Sequence, residues 1–393
     1  MFHGRSQTCA FGGFIIAMAS FSPAVRAVDL SDHWNVNGAA RMRVDHDGTR
    51  GIREFGIDTI MLGAKYSSDS WIGAAGYRFY GKDYPYQYTR HFGDIRFFDA
   101  AWVGYRFGPQ RHIELGLNQV PFGVQPLFGD TFYESLGNAV ALEDLSEVGV
   151  KYVQDIDGWN LQAGYYARPA WPEHGTSRGS TYSIVVTPAD PWVEGGARNV
   201  ERNLFAGRLA HQLQASNWKG EAGVSLFTST LRNQDTRRDG RRLVYGLHYA
   251  GNNGPWGLKL QYARQLMTPK NPDGSQVVTV GGFDGTYNIA TRGNLYSVNG
   301  SYALGGSYLG GWVKDITLYS NYSLYQKASP QFRNTERWIT GASFSLKFLT
   351  VYVEWLEGRN DPYIGGSDYA QSLGAGGTNR WRGQLYMNIG YYF

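Results

Sequence analysis

Between Gln119 and Leu145 the chain carries four acidic residues, Asp130, Glu134, Glu143 and Asp144, and no lysine or arginine. The bases lie elsewhere. Arg41, Arg43, Arg78, Arg96, Arg106, Lys151, Arg208, Lys259 and Arg382 occur in segments of alternating apolar residues, on the parity opposite the apolar one. Acids on the 119–145 segment, if it faced the bases, would make no bonds. They would set up a field across a gap, in which rings of Arg and Lys favour anions and rings of Asp and Glu favour cations. The count of wall bases leans towards anions. A bland reading stands beside it: arginines paired with carboxylates, or set at a rim among lipid headgroups. A second basic group, Arg232, Arg237, Arg238, Arg241 and Arg242, sits in the connection LRNQDTRRDGRR. Solvation or lipid contact is expected there before steering of anions.

Bond-making chemistry has weaker support. Past His33 the histidines are His46, His91, His112, His174, His211 and His248, and none stands in an HExxH pair. The one cysteine, Cys9, falls in the N-terminal segment, so the remainder has no disulfide and no thiolate metal site. The expectation is a chain with no cofactor, no metal and no catalytic residues. An enzyme is the rival from another class.

The elements that would position these charges are strands. From Leu385 the chain reads LYMNIGYYF, with Leu385, Met387, Ile389, Tyr391 and Phe393 on one parity and Gln384, Tyr386, Asn388 and Gly390 on the other. Ile113, Leu115 and Leu117 oppose His112, Glu114 and Asn118; Trp256, Leu258, Leu260 and Tyr262 oppose Lys259 and Gln261. Charged residues are 18%, aromatics 15%, with 52 Gly and 28 Tyr, and the mean hydropathy is −0.39. A transmembrane β-barrel hides its apolar surface in this way, because half of each strand faces water while Tyr and Trp form girdles at the interfaces. A secreted soluble β-protein would alternate too, but would not need the aromatic terminal strand.

The N-terminus, with Arg5, an apolar run near Ala10–Ala19, and small residues at Val25 and Ala27, reads as a secretory leader. The expected division is a leader over 1–27 and a barrel over 28–393. Without Arg5 and Arg26 the balance is 35 bases against 33 acids, which gives no sign of a nucleic-acid partner. The first strand opens within about ten residues of the cleavage point, leaving no room for a plug.

Alternating segments predict about 16 strands: Trp34–Val44, Phe55–Tyr66, Trp71–Tyr80, Ile95–Phe107, His112–Asn118, Glu147–Gln154, Trp159–Arg168, Asn203–Leu213, Trp218–Thr230, Leu243–Ala250, Trp256–Arg264, Leu295–Ala303, Ile316–Tyr325, Trp338–Phe348, Val351–Trp355 and Arg382–Phe393. Short and long links alternate, as periplasmic turns and extracellular loops do in such barrels. Two places resist. Asp99 shares parity with Phe97 and Val103, and the second segment has no clean apolar face; a bulge or a subunit interface would account for either.

The segment after the fifth strand, QVPFGVQPLFGDTFYESLGNAVALEDL, is placed like the third loop of sixteen-stranded trimeric porins of Gram-negative bacteria. The stretch GLNQVPFG resembles a motif of the phosphate-selective porin O/P family. The resemblance implies an all-β transmembrane antiparallel barrel in the outer membrane, with that loop folded inward. It implies a homotrimer among lipid and lipopolysaccharide, and a water-filled channel passing small polar solutes or anions. Pro121, Phe122, Gly123, Asp130, Glu134, Glu143 and Asp144 would form the constriction loop. The basic constriction expected of the phosphate-selective family is missing from this segment. A substrate-specific sugar or dicarboxylate channel is the alternative, since Trp102, Tyr166 and Tyr386 take lumen parity, though girdle positions explain aromatics as well.

Overall fold

Sixteen antiparallel strands close on themselves in the computed structural model, which describes residues 28–393 apart from 83, 87, 171–181, 185–192 and 194–195. The expected leader and Cys9 lie outside the described residues. The strands are β1 (Trp34–Asp47), β2 (Ile52–Ser67), β3 (Trp71–Tyr80), β4 (Ile95–Gly108), β5 (Arg111–Gln119), β6 (Ser146–Ile156), β7 (Trp159–Pro169), β8 (Asn199–Ala215), β9 (Trp218–Asn233), β10 (Asp239–Asn253), β11 (Trp256–Thr268), β12 (Arg292–Ala303), β13 (Val313–Lys327), β14 (Thr335–Leu346), β15 (Leu349–Arg359) and β16 (Trp381–Tyr392). Each pairs with its neighbours in sequence. β16 closes on β1, from Ala39 opposite Tyr392 to His46 opposite Leu385. Phe393 then exchanges both backbone hydrogen bonds with Gly38, at 2.8 and 3.1 Å. Closure leaves no open sheet edge, which a hydrocarbon environment requires because it offers no partner to a bare N–H or C=O.

The alternation read from sequence is the inside–outside alternation of the wall. Gln384, Tyr386 and Asn388 are buried inside, while Tyr391 is exposed outside. Outward aromatics pair across strands near one rim: Trp34 with Tyr66, Trp71 with Tyr105, and Trp256 with Tyr302. These are girdle positions, where an amphipathic ring meets apolar chain and water.

Both places that resisted the alternation are β-bulges. In β2 the register shifts between Arg41 and Met42, whose partners are Thr59 and Ile57, and Asp58 is the extra residue. A one-residue shift moves every later side chain to the other face. Phe55 and Ile57 before the bulge, and Ile60 and Leu62 after it, therefore all point outward. In β4 the shift falls between the partners Phe98 and Ala100, and Asp99 is the extra residue. The same bulge corrects the placement of Arg96. It lies before the shift, on the exposed face with Phe98, and not on the lumen side.

The lumen is not empty. Residues 120–145 fold into it. A hairpin, Val277–Gly282 with Gly285–Ala290, is buried along its whole length and pairs with Ser183–Ile184. Its tip residue Phe283 packs on Tyr80 and Phe97 of the opposite wall, at 5.2 and 5.9 Å.

Candidate functional site

A chain segment inside a barrel must find a partner for each backbone group it withdraws from water. The 120–145 segment does so mainly through side chains of the inner wall. Its neck is closed by Val120 N donating to Leu145 O, 2.8 Å. Gly123 N donates to Ser225 Oγ (3.0 Å), Val124 N to Gln261 Oε1 (3.0 Å), Asp130 N to Asn299 Oδ1 (3.1 Å) and Leu136 N to Ser323 Oγ (3.1 Å). Glu354 accepts from two successive amides, Phe132 N at 2.6 Å and Tyr133 N at 2.9 Å. In the other direction Arg208 donates to Gly123 O (2.8 Å), Lys259 to Gly129 O (2.9 Å), Arg337 to Glu134 O (2.8 Å) and Arg242 to Ala141 O (2.8 Å). These anchors come from β8 to β15, so the segment runs along one half of the inner wall.

Beneath it lies a dry contact. Phe122, Val124, Phe128, Leu136 and Val140 join one buried cluster with Phe227 and Val244. Phe122 meets Phe227 edge-on at 5.4 Å. Gly123 has φ +62 and sits against the Gln261 amide, so a side chain there would be both strained and obstructed. One helical turn, α1 (Leu136–Ala139), is capped by Ser135, whose hydroxyl accepts from Gly137 N and donates to Glu143.

The opposite half of the wall, β1 to β4 with β16, stays open to a cavity of about 500 Å³. Arg41, Arg43 and Arg78 face it from the wall, and Asp130, Glu134 and Asp144 face it from the loop. Each of these arginines already holds a carboxylate. Arg43 lies 2.6 Å from Asp45 and 3.5 Å from Asp58; Arg41 lies 3.4 Å from Asp58; Arg78 lies 2.5 Å from Asp99. The two bulges thus do the same thing: each turns an extra aspartate inward beside arginines. The count that leaned towards anions left out Asp45, Asp58 and Asp99.

The expected residues therefore separate into groups. Arg41, Arg43, Arg78, Asp130, Glu134 and Asp144 come together around the cavity. Asp130 is also tied to Lys259 at 2.7 Å. Lys259 and Arg208 clamp the loop, and Lys151 bridges Glu114 (2.9 Å) to Gln119 O (3.2 Å) at its root. Pro121, Phe122 and Gly123 lie buried at the start of the loop and do not line the gap. Glu143 turns inward, accepting from Phe128 N at 2.6 Å. Arg106 bonds the turn at Ser67 and Ser68, far from the loop, and Arg382 is exposed near a strand end.

Sequence reasoning missed Arg50, Arg337 and Glu354, and misplaced Arg242. Arg242 is fully buried beside Glu201 at 3.0 Å, so it is neither solvated nor in lipid contact. Arg337 is held by Asp361 at 2.8 Å. Both lie just before the strands expected at Leu243 and Trp338, whereas β10 begins at Asp239 and β14 at Thr335. Extending each alternation backwards would have placed them in the lumen. The chain also spells one serine-elbow pattern, Gly175-Thr176-Ser177-Arg178-Gly179, in residues outside those described. That pattern takes its meaning from the strand-to-helix turn of an α/β sheet, and the described strands form an antiparallel barrel.

No family model and no curated protein matches the chain. Solved structures do. An anion-selective porin from Comamonas acidovorans aligns at a TM-score of 0.56 and 15% identity, covering 92% of this chain and 99% of its own. The outer-membrane channel DcaP of Acinetobacter baumannii aligns at 0.57 and 9% identity, covering 93% and 99%. The trimer form of OmpT, an outer-membrane protein of Vibrio cholerae, aligns at 0.54 and 13% identity, covering 92% and 99%. The chain has the fold of the sixteen-stranded outer-membrane porins.

Proposed function

We propose that this protein is an outer-membrane porin of a Gram-negative bacterium, a homotrimer whose subunits each pass small polar or anionic solutes by diffusion. The observation that carries this reading is the clamped segment 120–145, which narrows the lumen without filling it and leaves a charged gap on one side. Barrels of this strand number leave an aqueous channel, whereas eight-stranded ones fill with side chains. Arg41, Arg43 and Arg78 form the basic side of the constriction and Asp130, Glu134 and Asp144 the acidic side. Residues 1–27 are removed on export. No catalytic role is assigned to any residue. The trimer is supported by the trimeric OmpT of similar fold, and the outward apolar face meets lipid and lipopolysaccharide.

The test is single-channel conductance of the refolded protein in a planar bilayer under a salt gradient. Stepwise openings in threes are expected. A folded barrel that carries no current would overturn the reading and bring an enzyme or structural barrel forward.

A further inference from the structure

The cavity beside the loop is walled by aromatic rings as well as by charges. Tyr80 and Tyr86 stand on one side, Tyr133 comes from the loop, Tyr363 and Tyr369 come from the last connection, and Phe283 comes from the hairpin tip. The rings brace one another. Tyr363 and Tyr369 meet edge-on at 5.5 Å, Tyr80 and Phe283 at 5.2 Å, and Tyr133 and Tyr386 at 5.6 Å. The phenols are also linked: Tyr182 donates to Tyr363, whose hydroxyl lies 3.4 Å from that of Tyr369.

Charged groups of both signs lie between these rings, five of each among the lining residues, so donors stand beside acceptors: Arg41 and Arg43 share Asp58, Arg78 pairs with Asp99, and Asp130, Glu134 and Asp144 face them from the loop. A free anion gains little from arginines that already hold carboxylates, and a free cation little from the carboxylates. A ligand with apolar faces and an edge of hydroxyls suits both features. Its faces lie on tyrosine rings, and each hydroxyl donates to a carboxylate while accepting from a guanidinium. A pocket of about 500 Å³ is within the usual range for small ligands.

We infer that the constriction is a binding site for a neutral carbohydrate of mono- or disaccharide size, held between Tyr133, Tyr363 and Tyr369 and the ion pairs of the opposite wall. This rests on the porin reading and names its substrate class.

The test adds glucose, maltose or succinate to single channels of the refolded trimer and records current interruptions. Glucose or maltose is expected to interrupt the current saturably, with succinate much weaker. Tyr133→Ala keeps the backbone anchor to Glu354 and should raise the half-blocking sugar concentration on the order of tenfold while the channel still conducts. Tyr165→Ala, outside the barrel, should leave it unchanged. Conducting channels that ignore both sugars, or that succinate blocks more tightly, would overturn the carbohydrate site and leave the porin intact. Absence of conductance in the folded trimer overturns both.

Discussion

The two halves of the lumen are built from the same alternating strands and spend their inner side chains differently. Along β8 to β15 the inner polar groups point at backbone atoms of the loop: Ser225, Gln261, Asn299, Ser323 and Glu354 accept from its amides, and Arg208, Arg242 and Arg337 donate to its carbonyls. Along β1 to β4 the inner groups point at one another, as Arg43–Asp45 and Arg78–Asp99. The first half is dry and structural. The second is partly open, and its paired charges border the cavity. A polar residue of lumen parity can thus be a strut or a lining residue, and what decides is whether a buried backbone atom lies within its reach.

Stability should separate the halves most sharply. Arg242→Leu leaves Glu201, 0% exposed, as an unpaired buried charge and frees the carbonyls of Val140 and Ala141. Removing one partner of such a pair costs about 3–5 kcal/mol. Arg78→Leu leaves Asp99, whose side chain is 20% exposed and able to hydrate, so its cost should be roughly 1 kcal/mol or less. Thermal unfolding in detergent, followed by far-ultraviolet circular dichroism, measures both. Equal losses would mean that the two halves are not different environments.

Selectivity should separate them in the opposite sense. Asp58→Asn combined with Asp99→Asn strips the bulge carboxylates from the open wall and leaves Arg41, Arg43 and Arg78 less compensated. One unit charge acting over ~4 Å of water is about 1 kcal/mol, roughly a fivefold change in relative permeability towards anions. Reversal potentials under a salt gradient report it. An unchanged potential in a conducting double variant would show that the bulge aspartates do not face the permeating ions.

Most of the barrel could be read from the sequence because the lipid face is unforgiving. A charge near mid-membrane costs about 2–4 kcal/mol for Arg or Lys, so the apolar parity is kept strictly where it matters. All sixteen expected segments are strands. The inward loop was legible from its length and its place after the fifth strand, through the resemblance to the third loop of trimeric porins. The bulges were visible only as broken parity at Asp99 and in β2, since a bulge leaves no mark beyond the slip it causes. The split between struts and lining was not legible. Ser225, Asn299 and Ser323 are ordinary lumen-parity residues until the loop backbone lies against them. Arg242 and Arg337 were lost for a simpler reason: the strands run further towards the outside than their apolar residues do.

The smallest expected effect tests the bulge itself. Parity carried straight through β4 puts Arg96 in the lumen with Arg106, and removing a lining arginine would shift the reversal potential. The register shift at Asp99 instead puts Arg96 outside, beside Phe98, one residue from the start of its strand. At that depth a lipid-face charge costs only about 0–1 kcal/mol, because the side chain reaches the headgroups. Arg96→Ala should therefore leave ion preference unchanged and alter thermal stability by less than about 1 kcal/mol. Asp99→Asn alone should still move the reversal potential, since it is Asp99 that the bulge turns towards Arg78. If Arg96→Ala shifts selectivity and Asp99→Asn does not, the bulge is misplaced and the two residues exchange faces.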